Sequence, residues 1–327
     1  MIVVTGASGF IGSNLVRSLN ASGITNILVC DWLLSDNRWQ NLQKARFRDF
    51  ISPDNLLAVL DSLDVTAVLH MGANSSTTDI DGDKMLRTNF RATLDLIDWC
   101  TRRQVPLVYA SSAATYGDGE NGFVDEFSSA ALSQLRPLNL YGWSKHTIDQ
   151  IFAERVEMGG PLPPKCIGLK FFNVYGPNEY HKQSMMSVVA KNFDQARRGQ
   201  PVDLFKSHRE GFADGGQLHD FIRVDDVVSA IRWFLDDPKS PSAGIYNVGT
   251  GRAQSFEELM NALFSSCGHQ PNINYVPMPE NIRDRYQYFT EASLVNLRAA
   301  GFAQPFADVN EGVARYVEVL ARPDRYV

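Results

Sequence analysis

Short apolar, β-branched runs alternate with longer stretches of helical periodicity through the first half of the chain. Residues 2–5, 26–30, 66–70, 106–111 and 166–171 read as buried strands, because each is nearly continuous in apolar side chains. Between them, 11–22, 54–63, 84–104 and 141–158 carry the three-to-four spacing of helices. Buried strands separated by helices call for right-handed βαβ connections and a parallel sheet covered on both faces. Beyond Phe172 the pattern loosens, and 210–217, rich in Gly and Asp, reads as an exposed loop. Strands at 220–224 and 244–248 and helices at 225–236, 255–267 and 309–321 follow. The chain of 327 residues is long enough for two packed bodies. We assign the first to 1–172 with returning segments near 219–250, and a smaller one to 173–218 and 251–327.

The first strand runs into Thr5-Gly6-Ala7-Ser8-Gly9-Phe10-Ile11-Gly12 and then into a helix. Gly6 permits the tight turn, Gly9 lets a pyrophosphate approach the backbone, and Gly12 lets helix and strand pack closely. The free N–H groups at the helix start would meet the phosphates. Asp31 closes the second strand 19 residues beyond Gly12, close to the spacing expected for a carboxylate on the adenosine ribose. Together these predict a doubly wound sheet of Rossmann type, with a dinucleotide in the crevice between two lobes. Asp31 favours the free 2′-hydroxyl of NAD, whereas Arg38 either reaches a 2′-phosphate, favouring NADP, or is an ordinary loop charge. His70-Met71-Gly72-Ala73 is a second place where small residues admit a cofactor. Asp49 is either an adenine contact or an isolated surface acid.

A net charge of −6 argues against nucleic acid or anionic membrane as the main partner. No apolar run approaches membrane-spanning length, and Met1-Ile2-Val3-Val4-Thr5 lacks the basic start of a secretion signal, so the cytoplasm is the expected compartment. Cys30, Cys100, Cys166 and Cys267 lie far apart, with no CxxC pair and no His at ligand spacing. Free thiols are expected and a metal site is not.

The strand at 106–111 ends in Ser111-Ser112-Ala113-Ala114-Thr115-Tyr116-Gly117, and Tyr141-Gly142-Trp143-Ser144-Lys145 opens a later helix. At i and i+4 the tyrosine and lysine share a face. A nearby ammonium lowers a phenol's pKa, so Tyr141 is read as a base, with Ser112 holding a substrate hydroxyl in line.

With the glycine turn, these motifs resemble the extended short-chain dehydrogenases/reductases of the NAD-dependent epimerase/dehydratase type, which act on nucleotide sugars. The likeness extends over nearly the whole chain, through Phe172-Asn173-Val174-Tyr175-Gly176-Pro177-Asn178-Glu179-Tyr180-His181-Lys182-Gln183-Ser184-Met185, Asn247-Val248-Gly249-Thr250-Gly251-Arg252 and Arg285-Tyr286-Gln287-Tyr288-Phe289-Thr290. It is similar in particular to the members that invert C6 of the heptose in an ADP-heptose. The resemblance implies catalytic roles for Ser112, Tyr141, Lys145 and Lys182, the last as a second acid/base. It implies a cofactor site of Gly6, Gly9, Phe10, Ile11, Gly12, Asp31, Trp32, Arg38, Met71, Gly72, Ala73, Asn74, Ser75, Asn89, Lys145, Val174 and Lys182. Ser112, Asn173, Ser184, Lys191, Phe205, Lys206, His219 and Tyr286 would hold the substrate. NADP is the implied cofactor, with NAD the alternative, and the assembly a homo-oligomer.

Two departures stand out. The loop 207–218 is long, and His219-Asp220-Phe221 replaces the family's usual Arg-Asp-Phe, whose Arg would clasp the diphosphate with a fork that His lacks. Arg209 or Arg223 is the candidate substitute. A 4,6-dehydratase would carry an acid pair where this chain has Ala113 and Ala114. A non-catalytic binding module would have lost Tyr141 or Lys145. Epimerisation is the reading the resemblance favours, with another NDP-sugar epimerase or reductase of the family, or a non-catalytic NAD(P)-binding module, as the alternatives; on its own Lys182 also fits an exposed loop lysine.

Overall fold

The computed structural model describes residues 1–283 and 286–327. In chain order its strands are β1 Ile2–Thr5, β2 Ile27–Cys30, β3 Asp49–Ile51, β4 Ala67–His70, β5 Leu107–Ser112, β6 Cys166–Phe171, β7 Asn173–Tyr175, β8 Val202–Phe205, β9 Leu218–Arg223, β10 Ala243–Val248, β11 Ala253–Ser255 and β12 Ile273–Val276. Seven of them form one sheet in the order β10-β6-β5-β4-β1-β2-β3, and every pairing in it is parallel. This is the expected α/β, doubly wound Rossmann arrangement.

Alternation along the strands separates two apolar layers. Val3, Val68, Leu107 and Tyr109 face one side, against Ile97 and Trp99 of the helix Ala92–Arg103 and Ile148 and Phe152 of the helix Leu140–Glu157. Val4, Leu69, Val108 and Ile167 face the other, against Leu15 and Leu19 of the helix Phe10–Ala21 and Val227 and Ile231 of the helix Val224–Asp236. The strand order reverses between β1 and β4, whose ends at Thr5 and His70 open the crevice where such sheets bind ligands.

A smaller body is built on a third apolar cluster, in which Val189 and Phe193 meet Leu259, Leu263, Val313 and Tyr316. It contains the pair β12-β8 and packs beside the short sheet β11-β9-β7. The returning chain therefore reaches the large sheet through Val224–Asp236 and β10, whereas β9 pairs with β7 and β11. Asp220 on β9 links the sheets: its buried carboxylate accepts from Thr250 N at 2.6 Å, Gly251 N at 2.9 Å and Ala292 N at 3.0 Å.

One helical expectation needs refinement. The segment read as a helix at 84–104 is a short turn Gly82–Met85, a wide π turn Leu86–Arg91 and the α-helix Ala92–Arg103. Asn89 in the wide turn is wholly buried and exchanges bonds with the Asn74 backbone at 2.7 and 2.9 Å, which holds the loop after β4.

Close backbone approach fixes the first turn. Gly6 has φ +64°, and a Cβ there would lie 2.6 Å from Gly72 N; a Cβ on Gly12 would run into the Gly6 carbonyl. Gly12→Ala should therefore destabilise the fold by about 1–3 kcal/mol or more, the cost of overpacking against atoms that cannot yield. Gly82 has no atom within 4 Å of the corresponding position, so Gly82→Ala should stabilise by roughly 0.4–1 kcal/mol. Urea unfolding of both variants checks the contrast.

Candidate active site

A cleft of about 690 Å³ opens over the ends of β1, β4 and β5. Gly9 caps the helix Phe10–Ala21 without a side-chain bond, so the first-turn N–H groups are presented at the cleft wall. Asp31 sits beside this turn: one carboxylate oxygen accepts from Ser8 N at 2.9 Å and Ser8 Oγ at 2.5 Å, the other from Trp32 N at 2.8 Å. Burial pushes the Asp31 carboxyl up, and the Ser8 bonds oppose it. The floor is fixed by a buried relay. Thr93 Oγ1 donates to Asn89 O at 2.6 Å, so it accepts from His70 Nε2 at 2.9 Å, and His70 Nδ1 accepts from Thr5 Oγ1 at 2.6 Å. Burial holds this imidazole neutral, down to about 3.

The reactive groups come from three elements. Ser112 ends β5, and its Oγ accepts from Ala114 N at 3.1 Å, leaving its proton to donate. Tyr141 and Lys145 lie one turn apart on Leu140–Glu157, whose start presses on the Ser112 turn: a Cβ on Gly142 would lie 2.6 Å from Ala114 O. Lys145 Nζ donates to Ala110 O at 2.7 Å, and burial lowers it to about 8 while Asp149 opposes. Contrary to the sequence reading, burial pushes the Tyr141 phenol up, and the opposing influence is the adjacent Ser112 hydroxyl, not Lys145. Lys182 reaches in from the turn Tyr180–Met185, with Nζ 5.3 Å from the centre of the Phe10 ring. Burial lowers its ammonium and Glu179 opposes. It lines the cleft rather than standing free in solvent.

The cleft fits a nicotinamide dinucleotide: small residues line its glycine turn, free helix N–H groups face it, and Asp31 and Arg38 stand at one end. A family model for the NAD dependent epimerase/dehydratase family matches residues 2–249. The chain belongs to that family. ADP-L-glycero-D-manno-heptose-6-epimerase of Fusobacterium nucleatum is 43% identical over 340 aligned residues, covering 100% of both chains. The enzyme of that name from Nitratidesulfovibrio vulgaris (strain DP4) is 42% identical over 332, again covering 100% of both. Among solved structures, Helicobacter pylori ADP-L-glycero-D-manno-heptose-6-epimerase matches with TM-score 0.78 at 25% identity, over 98% of this chain and 95% of that one. Thermus thermophilus UDP-glucose 4-epimerase, solved in complex with NAD, gives 0.74 at 27%, over 98% of each. Like its family, the chain is an epimerase-type enzyme with a nicotinamide dinucleotide cofactor.

Of the residues expected in this epimerase/dehydratase site, Gly6, Gly9, Phe10, Ile11, Gly12, Asp31, Trp32, Arg38, Met71, Gly72, Ala73, Asn74, Ser75, Ser112, Tyr141, Lys145, Val174 and Lys182 all line the cleft. Asn89 lies beneath it. Asn173, Phe205, His219 and Tyr286 gather beside it, with the Tyr286 ring 6.5 Å from Phe205 and 6.1 Å from His219. Ser184, Lys191 and Lys206 do not line it. Arg285 lies outside the described residues.

The diphosphate role considered for His219 is corrected by its surroundings. Asn173 Nδ2 donates to His219 Nδ1 at 2.9 Å and His219 Nε2 donates to Gln287 O at 2.8 Å, so both ring nitrogens are occupied. Phe221, Phe256 and Tyr286 pack around the ring. Arg223 pairs with Asp225, and Arg209 lies 5.8 Å from the centre of the Tyr288 ring. Asp49 is exposed at the start of β3, and Asp54, which accepts from Trp32 Nε1 at 3.0 Å, lines the cleft instead.

Sequence reasoning also passed over His181 and Arg87 in the lining, and over the support of the loop carrying Lys182. Glu179 is buried and accepts from Ser187 N at 2.5 Å and Tyr316 OH at 3.0 Å. The segment 324–327 closes over the same loop: Tyr180 OH donates to Arg325 O at 3.1 Å, Val327 N to Asn178 Oδ1 at 3.2 Å, and Lys44 Nζ to Tyr326 O at 2.6 Å.

Burial lowers His219 from the ordinary 6.5 to about 4. Below pH 6.5 the unfolded chain takes up this proton before the folded one, so the stabilisation present above 6.5 is lost as pH falls toward 4. His219→Gln removes that loss, about 1.4 kcal/mol per pH unit at the limit. The stability gap between wild type and variant should narrow from pH 7 to pH 5 in urea titrations; a constant gap would mean the ring titrates normally.

Proposed function

We propose that the chain inverts C6 of the heptose in ADP-D-glycero-D-manno-heptose, giving the L-glycero epimer by transient oxidation with tightly held NADP. The observation carrying this reading is that Ser112, Tyr141, Lys145 and Lys182, from three separate elements, converge on the cleft that contains the glycine turn. The names of the full-length relatives supply the sugar nucleotide. Bound nicotinamide supplies hydride acceptance and return. Ser112 would hold the C6 hydroxyl by hydrogen bonding, and Tyr141, drawn toward phenolate by the positive charge of bound nicotinamide, would take its proton as the carbinol becomes a ketone. Lys182, entering from another loop, would give a proton to the same oxygen as the carbinol re-forms with hydride on the opposite face of its carbon. Lys145 orients the cofactor beside Tyr141. Asn173, Phe205 and Tyr286, beside the cleft, hold the sugar nucleotide, and the resemblance adds Ser184, Lys191 and Lys206, which lie outside its lining.

The NADP preference rests on two features. Arg38 lines the cleft, and the Asp31 carboxylate is already engaged by Ser8 and Trp32, leaving less of it for the ribose hydroxyls of NAD. The same reading divides the chain into a cofactor-binding domain, 1–172 with 219–250, and a substrate-binding domain, 173–218 with 251–327. It makes the protein a cytoplasmic homo-oligomer. Among the described residues no helix is long and apolar enough to cross a membrane.

Pure protein given ADP-D-glycero-D-manno-heptose without added cofactor should invert C6, followed by NMR; an unchanged C6 overturns the reading. Tyr141→Phe and Lys182→Met should each cut turnover by about 10²–10⁴, with the double variant little worse than either. Near-normal turnover in Lys182→Met would give both faces to Tyr141. Arg38→Ala should weaken NADP binding roughly tenfold to hundredfold more than NAD binding, the worth of one charge-assisted contact. Equal losses would make Arg38 a loop charge.

A further inference from the structure

We infer that His181 is a second contact for the cofactor's 2′-phosphate, sharing that anion with Arg38. The inference rests on the NADP reading above. Arg38 and Asn41 both belong to the 3₁₀ turn Asn37–Leu42, in which side chains three apart lie on the same face. This turn packs on Tyr180–Met185, which carries His181.

Asn41 is almost fully buried, and its Nδ2 donates to Ser8 O at 2.8 Å and Asn178 O at 3.0 Å. Two carbonyls fix the amide's orientation, since the reverse would set oxygen against oxygen. The same Nδ2 is 3.2 Å from His181 Nδ1. One amide thus ties the glycine turn and the Arg38 turn to the loop at Asn178, and stands behind the His181 ring. With Nδ1 held from behind, Nε2 is the ring nitrogen left for the cleft that His181 lines.

Both Asn41 Nδ2 hydrogens go to carbonyls, so His181 Nδ1 turns its own proton to the Asn178 carbonyl. Nε2 then donates from the imidazolium, the ring state that an anion beside it favours. Arg38 is placed in a matching way. Asp36 engages its Nε at 2.9 Å and Nη2 at 2.7 Å, which aims the guanidinium and leaves Nη1 for a ligand. The charges facing the His181 ring are Arg38, Asp36 and Lys182. An anion between Arg38 and His181 would meet one guanidinium N–H and one imidazole N–H from turns already joined through Asn41. A 2′-hydroxyl carries no charge to draw the two together.

The test is calorimetric titration of NADP+ and NAD+ into wild type, His181→Phe and His181→Gln, each first freed of retained dinucleotide and checked by absorbance, with thermal melting to confirm folding. His181→Phe keeps a ring but loses the donor, and should weaken NADP+ binding roughly tenfold to hundredfold with NAD+ binding within about twofold. His181→Gln retains an N–H and should recover part of the loss. In a double-mutant cycle, Arg38→Ala with His181→Phe should cost less than the two losses multiplied, because both act on one anion. Equal weakening of NADP+ and NAD+ would put His181 on the diphosphate and overturn the proposal, as would no weakening of either. Wild type that binds neither dinucleotide would overturn the cofactor reading itself, a distinct outcome.

Discussion

The ion pair between Asp149 and Lys170 is the constraint on which the site depends. Both side chains are fully excluded from solvent, 2.7 Å apart, and neither is left with that single partner. Asp149 also accepts from Ser111 Oγ at 2.7 Å and Tyr109 OH at 3.1 Å on β5. Lys170, on β6, donates to Thr115 Oγ1 at 2.6 Å and lies 4.8 Å from the centre of the Tyr116 ring. Two strands, the turn after Ser112 and the helix Leu140–Glu157 are thus fastened at one point. Buried pairs add little net stability over apolar replacements, but removing one partner typically costs about 3–5 kcal/mol. Any register that separates Asp149 from Lys170 is therefore strongly disfavoured. Because Asp149 follows Tyr141 and Lys145 on the same helical face, that register also sets both residues against Ser112.

Most of the large sheet was legible because its strands are locally unambiguous. Residues 2–5 and 166–171 are buried on both faces, so period-two polarity is absent and an apolar run of strand length is the signal. The exception is β3, with only three residues and an exposed Asp49, whose pairing depends on β2 alone. Outside the large sheet, β7 and β11 also have three residues each, and β8 and β12 four. Strands that short take their identity from partners far along the chain, which periodicity does not register.

The site divides in the same way. The glycine turn, Asp31, Ser112, Tyr141 and Lys145 belong to local motifs whose spacing carries the chemistry, and all of them reach the cleft. His219 shows the opposite case: its place in a familiar tripeptide pointed to the diphosphate, while Asn173 and Gln287, distant in sequence, determine where its ring nitrogens go. His181 was hidden because its meaning comes from Asn41, 140 positions earlier. A signal for Asp149 did exist, since tyrosine, lysine and aspartate recur at four-residue intervals from 141, and a third polar group on that face invites a search for a buried cation.

The docking of 324–327 over the loop at 178–182 bears on time rather than on affinity. Its contacts run through Asn178, Tyr180 and Lys44. Where a bound molecule leaves them unchanged, they cancel from the difference that defines binding strength. Escape is another matter. Any opening that lifts the loop carrying Lys182 also breaks the tail's hydrogen bonds and the edge-on packing of Tyr180 against Tyr326 at 5.3 Å. The tail raises the barrier to entry and exit alike. Exchange through such an opening is slowed, and slow exchange favours keeping a ketone intermediate beside the dinucleotide that reduces it.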